Sequence, residues 1–261
     1  MTEAKGGVQS VGRALTLLSL LGRTEEGMRV STLAREAGLA VSTTHRLLTT
    51  LEQHGFAQFD PDAALWNVGR EAFAVGAAFG RRRNFVAPAL PHLRRLRDAT
   101  RETANLGVLE GGRLVTVSQV ESREIMRAIS PPGGVVPAFC SGMGKAILAT
   151  WPDAEVSDFI ARHGLGAMTA KSLVEDGAAM ADIAATRARG YAVDDEEYLA
   201  GLRCIAAAVF SPQGEAVCAI SVSGLAMRLT AERVPEIGAR VIAAAADLTA
   251  SLGGEPATPP A

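Results

Sequence analysis

Two serines near the C-terminus are spaced so that both can act on one ligand. Ser221 and Ser223 lie two residues apart in a segment with strand character, and side chains two apart in a strand project from the same face. Gly142 and Met143 open a predicted helix, whose free N–H groups and positive dipole end favour a carboxylate. A small oxoacid needs several donors around its carboxylate and a partner for its carbonyl or hydrate. Asp194 can accept a hydrogen bond from a hydrated aldehyde, so these residues are compatible with binding a small oxoacid.

Each of these residues also has an ordinary structural explanation, and the sequence leaves both open. The serines can cap a sheet face, and the acidic run from Asp194 to Glu197 is of a kind that is usually a solvated loop. Cys204 belongs to a residue type that is commonly a small buried hydrophobe. As a nucleophile helped by Asp194 it would make the chain an enzyme that acts on a small oxoacid. A nucleophilic cysteine usually needs a histidine or another base, however, and none is near it in the sequence.

Motifs for phosphate binding and metal binding are incomplete. Gly144 and Lys145 resemble the end of a phosphate-binding loop, but Phe139 stands at the position of its first glycine and Ala146 replaces Ser or Thr. The four histidines lack metal-ligand spacing, and the three cysteines are odd in number and widely spaced. No catalytic residue, metal site or cofactor is therefore predicted.

A second group of polar residues, near the N-terminus, suits nucleic acid. Ser42, Thr43, Thr44, His45 and Arg46 form the first turn of a helix that is predicted to end at His54. Their hydroxyls, backbone N–H groups and single arginine suit contacts with phosphates and base edges of DNA. The predicted DNA-binding set is Gln9, Arg13, Ser42, Thr43, Thr44, His45 and Arg46. The alternative is a helical module that contacts protein instead of DNA.

The segment around that helix has the element order of a winged helix-turn-helix. A helix with apolar residues at three- and four-residue spacing ends near Gly22, and a short helix capped by Ser31 follows. After a tight turn comes the helix described above, with Leu47, Leu48 and Leu51 as its buried stripe, and then a hairpin of two short strands. In DNA-binding versions of this order, the last of the three helices enters the major groove.

A second domain is predicted after the winged helix, with an α+β fold in which helices flank an antiparallel or mixed sheet. Alternating segments on either side of glycine-containing turns predict its strands, and Ile125 to Ile129 is expected to be one of them. A loop is expected at 131–134, where two prolines precede two glycines. The predicted division of the chain is 8–69 for the winged helix-turn-helix, 70–83 for a linker helix, 84–253 for the second domain and 254–261 for a disordered tail.

Composition limits the class of protein. Of 261 residues, 48% are hydrophobic and 21% charged, which is ordinary for a globular protein and excludes a disordered chain. No apolar run approaches the roughly 18–20 residues of a membrane-spanning helix, and the N-terminus lacks the apolar stretch of a secretory signal. A cytoplasmic protein without a membrane partner is expected. Residues 1–83 contain ten basic and eight acidic residues, whereas the rest of the chain contains sixteen basic and twenty acidic residues. This distribution fits a small anion-binding module attached to an acidic body.

Six motifs, in order along the chain, resemble the IclR family of bacterial transcriptional regulators. They are VQSVGRAL at 8–15, LLTTL at 47–51, SGMGKA at 141–146, RGYAVDDEE at 189–197, GLRCIAA at 201–207 and AISVSG at 219–224. The resemblance implies a winged helix-turn-helix, a linker helix and a C-terminal ligand-sensing domain similar to GAF domains. It also implies a homodimer or a dimer of dimers on palindromic double-stranded operator DNA, with RNA polymerase as a further candidate partner.

The resemblance also implies a ligand site. Family members that bind glyoxylate or pyruvate hold it with a loop at a helix start, an aspartate, a leucine, a cysteine and two serines. The matching positions are Gly142, Met143, Asp194, Leu202, Cys204, Ser221 and Ser223. Met143 departs from the alanine often found there, which need not abolish binding if the backbone N–H makes the contact. Glyoxylate is the first effector expected, and pyruvate or an aromatic acid is the alternative.

The leading hypothesis is a ligand-responsive regulator of a small-organic-acid operon, and not an enzyme. If the acid prefers one arrangement of the sensor dimer, it must alter operator affinity by the same coupling free energy, typically ~1–3 kcal/mol. The linker helix at 70–83 would transmit the change to two recognition helices, which must stay one DNA turn, about 34 Å, or a multiple of it apart. The alternatives are the enzyme that uses Cys204 and Asp194, and a sensor that acts through protein partners without DNA.

Overall fold

A computed structural model describes residues 7–24, 26–81, 85–128 and 130–255, and the chain divides into two units between residues 83 and 84. The first unit has the predicted order of three helices, a two-stranded hairpin and a further helix. Its elements are α1 (Gln9–Leu21), α2 (Val30–Ala37), α3 (Val41–Gln53), β1 (Ala57–Asp60), β2 (Leu65–Val68) and α4 (Arg70–Arg81).

The first three helices pack around a leucine core because each presents an apolar stripe to the others. Leu17 of α1, Leu33 of α2 and Leu48 of α3 are fully buried. Trp66 of the antiparallel β1–β2 hairpin closes this core, and its backbone pairs with Met28 ahead of α2. The hairpin is therefore attached to the helices by both side-chain packing and backbone hydrogen bonds.

A tight turn sets the direction of α3. Gly38 ends α2 with φ +64°, a left-handed conformation that glycine adopts at little cost. Helix α3 then begins at Val41, one residue before the predicted start. Ser31 is not the cap of α2, because that helix begins at Val30 after Arg29 and has no side-chain capping hydrogen bond.

The second unit contains a six-stranded sheet in which every neighbouring pair is antiparallel, so the fold is α+β as predicted. The strands follow the order β5-β4-β3-β8-β7-β6. Its elements are α5 (Val86–Thr100), β3 (Thr103–Glu110), β4 (Arg113–Val120), β5 (Val135–Pro137), α6 (Gly142–Leu148), α7 (Asp153–His163), α8 (Asp176–Arg189), β6 (Ala192–Asp195), β7 (Leu202–Phe210), β8 (Ala216–Leu225) and α9 (Val234–Ser251).

The two faces of this sheet differ in character. One face carries large apolar side chains such as Leu106, Ile205 and Ile220, which pack against α5 and α9 in the main core. The opposite face carries alanines, including Ala206 and Ala219, under the side chains of α6. Residues alternate between faces along a strand, so β7 and β8 supply both layers at once. The small residues let α6 lie close to the sheet.

Helix α6 also lies close to the 3₁₀ turn Ala138–Cys140 that precedes it. A Cβ atom at Gly144 would clash with the carbonyl oxygen of Ala138, so only glycine fits at this position. The turn joins Phe159 of α7 and Ile183 of α8 in a second apolar cluster. This cluster holds α6 on the sheet from its outer side.

The strand predicted at Ile125 to Ile129 is wrong for the residues that the structure describes. Residues 125–128 are not in a strand, and the Ile125 side chain is 96% exposed. Side-chain hydrogen bonds hold this segment outside the sheet, including Thr103 Oγ1 to the carbonyl of Ala128 at 2.8 Å. The strand beside β4 is β5, directly after the predicted loop.

Three predicted features lie partly outside the described residues. Ile129 belongs to the predicted strand discussed above, residues 82–83 to the predicted linker helix, and residues 256–261 to the predicted disordered tail. Within the described part, the predicted linker segment is helical as α4, from Arg70 to Arg81. At the start of the predicted tail, the N–H of Gly254 donates to the carbonyl of Thr249 at 2.9 Å.

Candidate effector site and nucleic-acid interface

Four of the predicted ligand residues lie side by side on three neighbouring strands. Asp194 of β6 is opposite Cys204 of β7, which is opposite Ser223 of β8, and Ser221 is two residues along β8 on the same face. All four are buried. Leu202 lies two residues before Cys204 and so belongs to the same face. The sheet therefore gathers these residues into one polar row beside the alanines.

The start of α6 stands over this row. A Cβ atom at Gly142 would lie 3.2 Å from both the carbonyl oxygen and Sγ of Cys204, so the helix begins in contact with β7. Ser141 caps α6, and its Oγ accepts the Gly144 N–H at 3.4 Å. The N–H groups of Gly142 and Met143 lie in the first turn and have no acceptor within the helix. The structure thus brings backbone donors to the polar row.

The side chain of Met143 is accommodated against β3. It is buried with Leu114 and Ile147, and a Cβ atom at Gly107 would lie only 3.0 Å from its Cε. Glycine at position 107 therefore provides the space for the methionine. This arrangement leaves the N–H of Met143 at the helix start beside Gly142.

Two residues of the site were not predicted from the sequence, Asn105 and Gln119. The Nδ2 of Asn105, on β3, donates to Ser221 Oγ at 3.3 Å and to Ser223 Oγ at 3.1 Å. Gln119 Nε2, on β4, donates to Asn105 Oδ1 at 3.1 Å. The sequence signal was a single amide within the apolar strand β3, which is otherwise typical of a buried sheet.

A buried ion pair lies next to Asp194, and its members were also missed. Lys145 of α6 has no exposed surface, and its Nζ lies 2.7 Å from Glu197 and 3.0 Å from Asp182. The backbone N–H of Glu197 donates to Asp194 Oδ1 at 2.7 Å. The acidic run that begins at Asp194 is therefore not a simple solvated loop. Its first and last residues are buried beside a lysine that does not belong to a phosphate-binding loop.

Burial changes the acidity of two residues in the row. It raises the pKa of Asp194 to about 7, with the nearby Glu197 carboxylate as the next cause. Burial and then the charge of Asp194 raise the pKa of the Cys204 thiol to about 11. The thiolate is the nucleophilic form of cysteine, so Cys204 is a neutral thiol at pH 7 and a poor nucleophile.

Most of the predicted DNA-binding residues lie at the surface of the first unit. Gln9, Ser42, His45 and Arg46 are exposed, and Arg13 and Thr43 are half-buried. Thr44 is different, because it is fully buried and its hydroxyl donates to the Ala40 carbonyl at 3.1 Å. Its side chain faces the core and is not available to DNA.

A groove of about 550 Å³ runs along the exposed side of α3. It is lined by Ser10, Thr43, His45, Arg46, Leu47, Thr49 and Thr50. The residue before α3 is Ala40, whose side chain cannot cap the helix, and the first turn of α3 contains no carboxylate. Its first N–H groups are therefore open to an anion such as a phosphate.

The described residues contain no group of three or more His, Cys, Asp and Glu side chains that could hold a metal ion. Within the same ranges of the chain, none of the helices is both long enough and apolar enough to cross a membrane. The acidic residues beside Lys145 instead balance a buried positive charge.

Two sequence-family models match the two halves of the chain. The IclR helix-turn-helix domain matches residues 10–61, and the bacterial transcriptional regulator IclR C-terminal domain matches residues 78–250. The chain belongs to the IclR family. As an IclR-family protein it is a DNA-binding transcriptional regulator with a C-terminal effector domain, as predicted, and it takes a small-molecule effector rather than a cofactor.

Relatives of known function agree with this membership. The chain is 42% identical over 253 residues to the transcriptional repressor IclR of Escherichia coli (strain K12), covering 96% of this chain and 92% of that protein. It is 41% identical over 251 residues to the acetate operon repressor of Salmonella typhimurium (strain LT2), covering 95% and 92%. The crystal structure of Thermotoga maritima IclR matches with a TM-score of 0.79 and 26% identity, covering 94% of this chain and 98% of that one.

These IclR-family relatives are transcriptional regulators, which confirms the prediction that the chain is not an enzyme. The raised pKa of Cys204 gives a physical reason why the thiol in the row is unsuited to nucleophilic catalysis. The polar row is therefore a candidate binding site and not a candidate active site.

Proposed function

We propose that this regulator responds to a small oxoacid, with glyoxylate as the first choice, and that the acid binds to the polar row under the start of α6. The observation that carries the proposal is the convergence of donors there. The hydroxyls of Ser221 and Ser223 lie within hydrogen-bonding reach of Cys204, and the start of α6 at Gly142 lies against Cys204 as well. A carboxylate accepts several hydrogen bonds at once, and buried charged acceptors need them.

Asp194 supplies a partner for the other end of the acid. Its Oδ1 already accepts the backbone N–H groups of Glu197 and Tyr198, which leaves Oδ2 for a ligand. Because its pKa is about 7, the protonated form can donate to a carbonyl and the ionised form can accept from a hydrate. Leu202 and Cys204 would contact the carbon skeleton, and pyruvate or an aromatic acid are the alternatives to glyoxylate.

A two-carbon acid pathway is the proposed target of regulation. The 41% identical Salmonella relative is named the acetate operon repressor, and acetate is a two-carbon acid. We extend that assignment to this chain by analogy, as control of a small-organic-acid operon.

The proposed DNA interface is the exposed side of α3 together with the start of α1. It comprises Gln9, Arg13, Ser42, Thr43, His45 and Arg46. Arg46 can pair with a guanine edge or a phosphate, and the uncapped start of α3 can bind a phosphate. Thr44 is excluded from direct contact, and we assign it to holding α3 on the core.

Exposed apolar side chains in the first unit support a homodimer or a dimer of dimers. Val11 and Leu15 of α1 and Phe73 and Val75 of α4 are all exposed, and large exposed apolar groups mark interaction surfaces. A dimer would place two copies of α3 on a palindromic operator, one DNA turn of about 34 Å or a multiple apart. We place the protein in the cytoplasm, where DNA and RNA polymerase, a further candidate partner, are found.

Effector binding would alter operator binding by linkage through the linker helix, which is α4 in its described part. If the acid prefers one arrangement of the dimer, the coupling free energy is typically ~1–3 kcal/mol, or a change of about 5- to 150-fold in operator affinity. We assign to α4 the role of repositioning the two copies of α3.

Fluorescence anisotropy of the full chain on its own upstream intergenic DNA tests this function. The DNA is titrated with and without millimolar glyoxylate, at two salt concentrations, because phosphate contacts make affinity fall with salt. We expect tight, salt-dependent binding that shifts when glyoxylate is added. Isothermal titration of the chain with glyoxylate alone measures effector binding separately from DNA binding.

The outcomes separate the parts of the proposal. The glyoxylate assignment is overturned if glyoxylate leaves the DNA affinity unchanged and also gives no heat of binding. The same test is then made with pyruvate and with aromatic acids. Glyoxylate binding without binding to that DNA overturns the assigned operator. If a pool of random genomic fragments also yields no bound DNA, the result favours a sensor that acts through protein partners.

A further inference from the structure

Both ends of the Asn105 side-chain amide form hydrogen bonds beside the polar row. It is 1% exposed, its Nδ2 lies 3.3 Å from Ser221 Oγ and 3.1 Å from Ser223 Oγ, and its Oδ1 accepts from Gln119 Nε2 at 3.1 Å. An amide nitrogen has two hydrogens, so each serine receives one of them. The hydrogen bond from Gln119 lies at the Oδ1 end of the Asn105 amide, opposite the Nδ2 end that faces the serines.

This arrangement determines the direction in which the serine hydroxyls can donate. A hydroxyl has one hydrogen and two lone pairs, and each serine accepts from Asn105 with one lone pair. The hydroxyl hydrogen is therefore directed away from Asn105, and both serines lie within hydrogen-bonding reach of Cys204 on their other side. The donors run in one direction, from Gln119 through Asn105 to the serines. Each serine hydrogen is then directed to Cys204 Sγ, a weak acceptor that the stronger acceptors of a bound ligand can replace.

We propose that Asn105, oriented by Gln119, is a positioning residue that presents Ser221 and Ser223 as a pair of hydrogen-bond donors, so that the site selects a carboxylate over the corresponding neutral amide. The inference rests on the proposed function, since it assumes that the effector binds at the polar row. A carboxylate offers only acceptors and satisfies both donors, whereas an amide turns N–H groups toward one of them. Leaving buried polar groups unpaired is what makes such a site reject the wrong ligand.

Reversing the amide of Asn105 tests the proposal without changing any group that touches the ligand. In Gln119→Glu the new carboxylate can only accept, so Asn105 turns its Nδ2 to Glu and its Oδ1 to the serines. Both hydroxyls then donate to Asn105 and present lone pairs to the ligand. Gln119 is only half-buried, so the substitution is compatible with folding. The matched control is Gln119→Leu, which removes the hydrogen bond without imposing the reversed orientation.

The measurement is isothermal titration of the full chain with glyoxylate and, separately, with its neutral amide, glyoxylamide. The wild type should bind glyoxylate at least about tenfold more tightly than glyoxylamide, because hydrogen bonds to a charged acceptor are stronger than those to a neutral one. In Gln119→Glu the affinity for glyoxylate should fall by at least about tenfold, while the affinity for glyoxylamide should stay the same. In Gln119→Leu the affinity for glyoxylate should fall by only a few-fold. Because the new carboxylate also repels an anion, Gln119→Glu is repeated in an Asn105→Leu background, where the same charge has no amide to reverse and should lower glyoxylate affinity by only a few-fold.

The ratio of the two affinities distinguishes positioning from a structural role. Equal losses for both ligands in Gln119→Glu, equal glyoxylate losses in Gln119→Glu and Gln119→Leu, or wild-type affinities in the Gln119→Glu variant would overturn the inference alone. A wild type that binds neither glyoxylate nor pyruvate nor an aromatic acid would overturn the proposed effector class, and the inference with it. Thermal unfolding of each variant confirms that the titrated protein is folded.

Discussion

The Nζ atom of Lys145 lies 2.7 Å from both carboxylate oxygens of Glu197, and the lysine side chain has no exposed surface. A second carboxylate, that of Asp182, is 3.0 Å away. Glu197 in turn donates its backbone N–H to Asp194. The ion pair therefore fixes the backbone that orients Asp194, and it joins α6 to the end of β6 underneath the candidate effector site.

Removing this lysine should be costly. Lys145→Met leaves the Glu197 carboxylate buried without its cation, and breaking a buried pair in this way typically costs about 3–5 kcal/mol of the free energy of unfolding. Urea unfolding followed by tryptophan fluorescence measures the loss. The control is Lys171→Met, whose half-exposed ammonium pairs with Glu196, and which should cost no more than about 1 kcal/mol. Equal losses in the two variants would contradict the structural role of the buried pair.

Arg46→Ala should weaken operator binding and leave effector affinity unchanged. If Arg46 contacts a base, its removal should cost about 1–3 kcal/mol of binding free energy, mainly on the preferred DNA sequence. If it contacts a phosphate, the slope of log affinity against log salt concentration should decrease in magnitude by about one. Anisotropy titrations at two salt concentrations measure both. Arg113→Ala removes an exposed arginine of the β3–β4 hairpin in the other unit and serves as the charge-matched control. An operator affinity as low as that of Arg46→Ala in this control would contradict the assignment.

Glyoxylate affinity should fall as the pH rises above 7. Burial raises the pKa of Asp194 to about 7, so the carboxyl group is largely ionised above that pH and repels an anionic effector. If binding requires the protonated form, the affinity falls by up to about tenfold per pH unit above 7. In Asp194→Asn the amide Nδ2 replaces the protonated oxygen, and the pH dependence should disappear. Titration calorimetry at pH 6, 7, 8 and 9 tests this, and a parallel decline in both proteins would rule it out.

The same group should make folding stability depend on pH. An unfolded Asp194 loses its proton near pH 3.8, whereas the folded one keeps it until about 7. Between these values the folded state binds more protons, so the contribution of Asp194 to stability falls as the pH rises from about 4 to 7 and is constant above. Asp194→Asn should therefore flatten this part of the stability profile. Urea midpoints from pH 4 to pH 8 provide the measurement.

Ser223→Ala should weaken glyoxylate binding by about tenfold or more, because a hydrogen bond to a charged acceptor is worth about 1.5–3 kcal/mol. Ser118→Ala provides a control with the same chemical change. Ser118 is also buried, but it is paired with Leu106 and so belongs to the face of the sheet that packs against α5 and α9. Its glyoxylate affinity should match the wild type. A similar loss in both variants would place the effector elsewhere.

Gly144→Ala should be strongly destabilising, because the added methyl group would meet the carbonyl oxygen of Ala138 and the backbone there must move. We expect a loss of at least about 2 kcal/mol, as for overpacked core positions. Gly177→Ala, in α8, adds the same methyl group where nothing lies within 4 Å, and it should stabilise the helix by about 0.5–1 kcal/mol. The two melting temperatures should therefore move in opposite directions, and movement in the same direction would contradict the close packing of α6.

Local sequence patterns were sufficient for most elements. Helix α1 ends at Leu21, next to Gly22, near which the apolar spacing predicts its end. The α3 start was misplaced by only one residue. At Ile125 the prediction from local alternation failed. The Thr103 hydroxyl donates to the Ala128 carbonyl, and the Glu124 N–H donates to Ser122 Oγ just before the segment. The contact from Thr103 is between residues 25 positions apart, so no local pattern reveals it.

The residues of the candidate site that lie in a family motif could be predicted from the sequence. Those whose role depends on pairing between distant strands could not. The motif around Ser221 and Ser223 identified the serines, but the role of Asn105 depends on the pairing of β3 with β8, whose partners are more than a hundred residues apart in the chain. Lys145 and Glu197 are likewise separated by 52 positions. Periodicity assigns a residue to a face, whereas the register decides which neighbour it meets.

Because residues alternate between faces along β7 and β8, neighbouring positions serve different purposes. Ile205 and Ile220 keep the domain folded, while their chain neighbours Cys204 and Ser221 face the proposed effector. Ligand preference can therefore drift by changes at every second position without loss of the scaffold. For laboratory evolution of a biosensor, diversity belongs at alternate codons of these two strands, with the intervening codons held constant.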